Sequence, residues 1–249
     1  MPARKAVTLN FWNRVSANAR LRRLYHDGDS ILLAVSGGPD SVVLLDYFAG
    51  QARSHRLKLH ICHINHKLRG RLADADAAFV KKLGAGYGIE TTILSADVKV
   101  LAKKSGAGIE HAARSARYGL LSRTALKKKC RLVATGHHSD DHAETVILNL
   151  LRGTEPKGLL GIPERRELCR RGRARVELIR PLLAVSRREI EGYIKVNALP
   201  SRKDHTNEDE HYARNWIRKT LLPLMLSKQP RLREHLAGLS AKLAPLLPR

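Results

Sequence analysis

The chain is 249 residues long, 43% hydrophobic and 28% charged, which is ordinary globular usage and enough for one substantial core with a small appendage. No run approaches the roughly 20 apolar residues that span a bilayer, so a membrane-spanning protein is not expected. Lys and Arg number 46 against 23 Asp and Glu, a formal charge of +23, which favours a polyanionic partner held by counterion release over solubility alone or an anionic membrane surface.

The first acid is Asp27, and Arg4, Lys5, Arg14, Arg20, Arg22 and Arg23 precede it. An organellar transit peptide has that composition. A helix lying on the domain explains it equally well, with Phe11, Val15 and Ala19 about one turn apart, and a cytoplasmic location is the expectation adopted. Residues 30–36, SILLAVS, read as a buried strand entering a glycine turn. A helical pattern follows, then a strand over 57–64, a helix over 74–87, a strand over 89–94, a helix over 109–128 and a strand at 132–136. Strands separated by helices predict an α/β fold, a parallel sheet with helices on both faces. Residues 140–153 form a further helix, opened by acids and closed by Gly153. Beyond it the pattern changes to a basic β-hairpin over 164–183 and three helices, roughly 186–197, 212–226 and 231–243. The expected division is a nucleotide-binding core over 1–153 with its N-terminal helix, and a basic, mostly helical substrate-handling subdomain over 154–249.

Basic residues cluster at 20–23, 127–131 and 165–175, while aromatics are only 4%. This favours phosphate gripping plus one base pocket over extended stacking along a single strand, and therefore a folded RNA. Cys62, Cys130 and Cys169 form no C-x-x-C pair and read as reduced thiols.

Between the first strand and helix stand Ser36, Gly37, Gly38, Pro39, Asp40 and Ser41. Glycines let the backbone approach an anion, and helix N-terminal amides face it. A plain turn is the alternative, but the strand before, the helix after and the bracketing hydroxyls favour a phosphate site. Neither a Walker lysine motif nor a G-x-G-x-x-G following a strand is present.

The SGGxDS segment resembles the signature of the PP-loop ATP pyrophosphatases, which cleave ATP between its α- and β-phosphates. Four more segments extend the likeness: His63 to Arg69, Glu110 to Tyr118, Ala134 to Thr145, and Asp204 to Asn207 with Tyr212 to Arg218. With Arg152-Gly153 and Arg180-Pro181-Leu182-Leu183, this ordered set resembles the tRNA(Ile)-lysidine synthetases from about Ser30 to Pro223. The resemblance implies a carbon–nitrogen ligase that uses ATP and Mg²⁺, adenylates the wobble cytidine of tRNA(Ile) with a CAU anticodon, and lets free L-lysine displace AMP. The implied partners are tRNA(Ile) and lysine, with no membrane; a homodimer is left open.

The residues take roles accordingly. Ser36, Gly37, Gly38, Pro39, Asp40, Ser41 and His137 are expected to bind ATP, and Asp40, Asp141 and Glu144 to hold Mg²⁺. Asp40, Arg117, Asp141 and Glu144 form the expected catalytic set. Asn65, His66, Arg69, Glu110 and Arg114 are substrate-binding candidates, Glu110 for lysine, while Arg170, Arg171 and Arg173 are the expected RNA grip. For Glu110 the competing role is favouring the helix dipole, and for Arg114 and Arg117 a solvated helix face. Asp204, Asn207, Arg214 and Arg218 serve equally well as caps and pairs of the last helices. His138 and His142, one turn apart among acids, imitate a hydrolytic zinc site, but no other segment supplies matching ligands. A helix-packing or solvent-facing role is the alternative for both, and it is favoured at position 142, where the resembled family usually has Gln. Two readings remain beside the ligase: a thiolation enzyme of the same superfamily, which the isolated cysteines disfavour, and a non-catalytic RNA-binding protein, which intact Ser36, Asp40, Asp141 and Glu144 disfavour. Longer relatives carry further C-terminal domains that help hold tRNA.

Overall fold

The computed structural model describes residues 2–68, 70–106, 108–202 and 213–247. Six strands, β1 (Ser30–Ala34), β2 (Lys58–Asn65), β3 (Thr91–Ser95), β4 (Leu132–Ala134), β5 (Arg165–Arg171) and β6 (Ala174–Ile179), form one sheet in the order β3-β2-β1-β4-β6-β5. All neighbours pair in parallel except β5, which runs antiparallel to β6. The mainly parallel sheet read from the strand and helix alternation is therefore what forms.

Alternation along each strand feeds two cores. Ile31 and Leu33 of β1, with Leu132 and Ala134 of β4, enter the core beneath α1 (Pro2–Leu21), α2 (Pro39–Ala52) and α7 (Arg187–Asn197). Leu32 and Val133 point the other way, into the core beneath α5 (Ile109–Lys127). Phe11, Val15 and Ala19 of α1 are buried in the first core, as their one-turn spacing predicts. α3 (Arg71–Gly86) packs on β2 and β3. α4 (Val98–Ser105) adds a helix to those expected; the Asp97 side chain caps it by accepting from the Val100 amide, and Val98 and Ala102 pack on Ala112.

The hairpin does not stand apart from the first 153 residues. β6 pairs with β4 in the core sheet, Leu132 opposite Glu177 and Ala134 opposite Ile179, so no break in the sheet appears at Gly153. This parallel pairing sets the hairpin's direction. Ile179 and Arg165 lie at the carboxyl edge, whereas Arg171 and Arg173 flank the turn at the opposite edge, about 20 Å away at ~3.3 Å per residue.

The C-terminal helices fold back on α6 (Ser139–Leu151). α8 (Ala213–Trp216) runs through a π-helical stretch (Ile217–Leu221) into α9 (Leu222–Lys228), and α10 (Leu232–Leu243) follows. Ile217 and Leu222 pack on Ala143 and Ile147. His142 makes the polar part of this contact: Nδ1 accepts from the Ile162 amide at 3.2 Å and Nε2 meets Ser240 Oγ of α10 at 3.2 Å. It is a buried packing histidine, as preferred from sequence, and burial draws its pKa below the usual value. His142→Ala leaves the Ile162 amide without this acceptor, while Ser240 keeps the Leu159 and Leu236 carbonyls, and should cost about 1–3 kcal/mol of stability. His142→Gln, which keeps a donor and an acceptor, should recover part of it in thermal unfolding; equal losses in both variants would contradict the hydrogen-bonding role.

Candidate active site

Loops after β1, β2 and β4 meet at the carboxyl edge of the sheet around a cavity of about 600 Å³. Its lining includes Ser36, Asp40 and Ser41 from the first loop, Asn65 and His66 from the second, and His137 and Asp141 from the third, with Arg117 and Tyr118 of α5 as one wall. Ligands of open parallel sheets bind at this edge.

The glycine loop is held from within. Ser41 Oγ accepts from the amides of Ser36 and Gly37, both at 3.1 Å, and donates to the Gly38 carbonyl at 2.9 Å. Gly37 has φ +94°, a left-handed conformation, and packs on Phe79. Gly38 caps α2 and Pro39 opens it, an arrangement that suits a helix start because Pro has no amide to leave unpaired. The amides of Asp40 and Ser41 remain at the helix end, where its dipole favours an anion. A Cβ on Gly136 would meet the Asp40 carbonyl at 2.9 Å, so the absence of a side chain there lets the β4 loop seat against this turn.

The start of α6 is the acidic side. Asp141 accepts from the His138 amide at 3.0 Å in a capping arrangement, and Arg218 Nη2 donates to its other oxygen at 3.1 Å. Asp140 takes the Arg187 amide at 2.8 Å and the Arg233 guanidinium; His138 beside it and these two groups hold its carboxyl below the usual range against the penalty of burial. Arg187 Nη1 also reaches both oxygens of Asp40 at 2.9 Å. Burial raises Asp40 above the ordinary carboxylate range despite the pull of His138 and Arg187.

His138 lies among these acids. Its imidazole is 3.9 Å from Asp40, 3.6 Å from Asp140 and 3.5 Å from Asp141, and it is only 3% exposed. Burial pushes its pKa down, but the surrounding carboxylates outweigh that and raise it. His138 is therefore buried behind the acids of the site and does not face solvent. His137 contrasts with it: burial takes its pKa down to about 3, which leaves a neutral ring on the cavity wall with Nδ1 3.0 Å from Thr135 Oγ1. His66 is likewise lowered, to about 4, by burial and by Arg117, and its Nδ1 has no partner among the described residues.

Several expected residues sit differently. Glu144 is 1% exposed and is not part of the cavity wall; Arg218 Nε donates to Oε1 at 2.6 Å and Arg214 Nε to Oε2 at 3.2 Å. Sealed off from the cavity by these arginines, it anchors the C-terminal helices and is a poor Mg²⁺ ligand. Arg214 and Arg218 thus pair with α6. Asn65 lines the cavity, but its amide donates to Asp74 and its oxygen accepts from Lys67 N, so it holds the turn. Glu110 is exposed and Arg114 lies one turn further on α5; neither lines the cavity. Arg170 pairs with Glu167, and Arg171 and Arg173 stand at the far edge of the sheet. Arg69, Asp204 and Asn207 lie outside the described residues. Arg187 was not among the expected site residues; its sequence signal is the Ser186-x-x-Glu189 capping box that aims the start of α7 at Asp40.

Among the described residues no group of three His, Cys, Asp or Glu side chains has the geometry to hold a metal ion. Asp40 and Asp141 nevertheless share the cavity, and Mg²⁺ commonly uses only one or two carboxylates with phosphates and water completing its shell. Those two fit the ion, whereas Glu144 does not.

A family model for the PP-loop domain matches residues 13–225. The chain belongs to the PP-loop domain family. Curated relatives include the tRNA(Ile)-lysidine synthase of Chlorobaculum tepidum, 40% identical over 84% of this chain and 60% of that protein, and that of Geobacillus kaustophilus, 36% identical over 93% of this chain and 49% of that protein. The chain thus spans about half the length of the curated relatives it matches. Among solved structures, the U34-tRNA thiolase NcsA from Methanococcus maripaludis superposes with a TM-score of 0.78 at 19% identity, covering 98% of this chain and 81% of that one. That likeness shows a shared PP-loop fold. No described helix is long and apolar enough to cross a membrane.

The buried histidines make stability depend on pH. His60, His63, His66, His137 and His142 all have folded pKa values lowered by burial. Below an ordinary value of about 6.5 the unfolded chain therefore binds more protons, so stability is full above that pH and is lost as pH falls towards the folded values. His138 opposes this with a raised value. The unfolding midpoint should drop by about 5 °C or more between pH 7 and pH 5; an unchanged or rising midpoint would contradict the neutral state of these rings.

Proposed function

We propose that the chain carries the catalytic core of a tRNA(Ile)-lysidine synthetase. In this reading the C2 oxygen of the wobble cytidine attacks the α-phosphorus of ATP, the bond to the β-phosphate breaks and pyrophosphate leaves. The amine of lysine then forms a bond to C2, the C2–O bond breaks, AMP departs with that oxygen, and the amine loses a proton. The observation that carries the reading is one cavity uniting the glycine loop, the carboxylates of Asp40 and Asp141 and a basic α5 wall, in a chain whose relatives are named tRNA(Ile)-lysidine synthase.

The start of α2, with the Ser36–Ser41 turn, holds the departing pyrophosphate, and Asp40 and Asp141 hold Mg²⁺. When bound there, the ion neutralises charge developing on the phosphates. Arg117 faces the same space and supplies fixed positive charge to the α-phosphate or to the activated base. Neutral His137 borders the nucleotide without adding charge. Lysine is a cation, and the acids the cavity offers it are Asp40, Asp76 and Asp141; Glu110 would require the substrate to extend beyond the lining. A thiolation reaction finds less support: burial pushes the Cys62 and Cys130 thiols up to about 11, away from the nucleophilic thiolate.

Incubation with labelled lysine, ATP and tRNA(Ile) bearing CAU should place label in the tRNA, and a transcript with another base at the wobble position should take none. Asp40→Asn and Asp141→Asn should each lower AMP formation about 100-fold or more while the unfolding transition stays cooperative. Activity near that of the unaltered protein in both variants would remove these residues from the site, and label transfer independent of the wobble base would overturn the assignment.

A further inference from the structure

Beside the cavity, four arginines gather. Tyr118 lines the cavity, and the guanidinium carbons of Arg114 and Arg166 lie 5.2 and 4.7 Å from its ring centre. Arg180 is 2% exposed; it donates to the Pro163 carbonyl, lies close enough to Tyr118 to interact with it electrostatically, and keeps an Nε with no partner among the described residues. Arg117 follows Arg114 by one turn. None of these four arginines forms an ion pair with a carboxylate among the described residues, whereas Arg165, Arg187, Arg218 and Arg233 all do. Like charges brought together with a buried donor left over are costly unless an anion completes the group.

The position selects the anion. Arg166 pairs in register with Leu178, one residue from the end of β6, so it stands at the same sheet edge as the cavity. The glycine loop follows β1, two strands away from β6 in the sheet order. A nucleotide triphosphate anchored at that loop is served by the α2 start and by Asp40 and Asp141. A strand that places one base in the cavity must carry its own phosphates past the rim, and Arg114 and Arg166 are accessible there. The expected RNA grip at Arg171 and Arg173 is on the opposite edge. We propose that Arg114, Arg166 and Arg180, gathered around Tyr118, form a site for phosphodiesters of the RNA strand that delivers the target base. This rests on the proposed function only in taking the strand to be RNA bound for this cavity.

The test uses the double variant Arg114→Gln/Arg166→Gln of the full chain, with Arg114→Lys/Arg166→Lys as the charge-keeping companion. Affinity for tRNA(Ile) and for a short unstructured RNA is measured without ATP or lysine over a series of salt concentrations, and ATP binding is measured without RNA. The Gln pair should flatten the dependence of log affinity on log salt by about 1.4, near 0.7 for each lost single-strand phosphate contact. The Lys pair should retain most of the slope, and ATP affinity should be unchanged in both. An unaltered slope in the Gln pair overturns the proposal. Weaker ATP binding with an unaltered RNA slope overturns it as well and assigns the arginines to the nucleotide. Because the unstructured RNA needs no wobble base, the slope change persists even if lysine incorporation fails and the lysidine assignment falls.

Discussion

The structure depends on how the acids at the start of α6 are neutralised. Asp140, Asp141 and Glu144 fall within five residues, and arginines from distant segments converge on them, Arg214 and Arg218 from α8 and the π-helical stretch and Arg233 from α10, while the backbone amide of Arg187 at the start of α7 donates to Asp140. Removing one member of such a buried set typically costs about 3–5 kcal/mol, since the remaining charge is left without a partner. The same contacts therefore close the C-terminal helices over the sheet and hold the carboxylates in place. Arg187 extends the network to Asp40 and so joins the starts of α2, α6 and α7 at one point.

Charge along the cavity is consequently divided. Asp40 and Asp141 make one side suited to a cation and phosphates, while Arg117 and the arginines around Tyr118 make the other suited to anions alone. His66 and His137 also line the cavity, as neutral rings. A metal-bound triphosphate and a second, metal-free phosphate chain would meet different charges in such a site, as the proposed joining of a nucleotide to RNA requires.

Local patterns made much of this legible in the sequence. The glycine turn, the strand and helix alternation and the α1 stripe of Phe11, Val15 and Ala19 each depend on neighbours within a few turns. Long-range choices were not legible. Nothing local to Arg187 says that it meets Asp40, 147 positions earlier, and the acids of α6 give no sign that Glu144 is sealed by arginines while Asp141 opens on the cavity. The basic hairpin shows the same limit. Its alternating pattern marks two strands, but only the parallel pairing of β6 with β4 sends Arg171 and Arg173 away from the cavity and leaves Arg166 beside it.

The central claim is that this cavity breaks the α–β bond of ATP for the benefit of an RNA acceptor. The most direct measurement follows ATP labelled at the α-phosphate in the presence of tRNA(Ile) and the absence of lysine. The label should appear on the tRNA, with pyrophosphate as the other product, and should be released as AMP when lysine is added. Formation of ADP and inorganic phosphate, or AMP release that is indifferent to tRNA, would contradict the account.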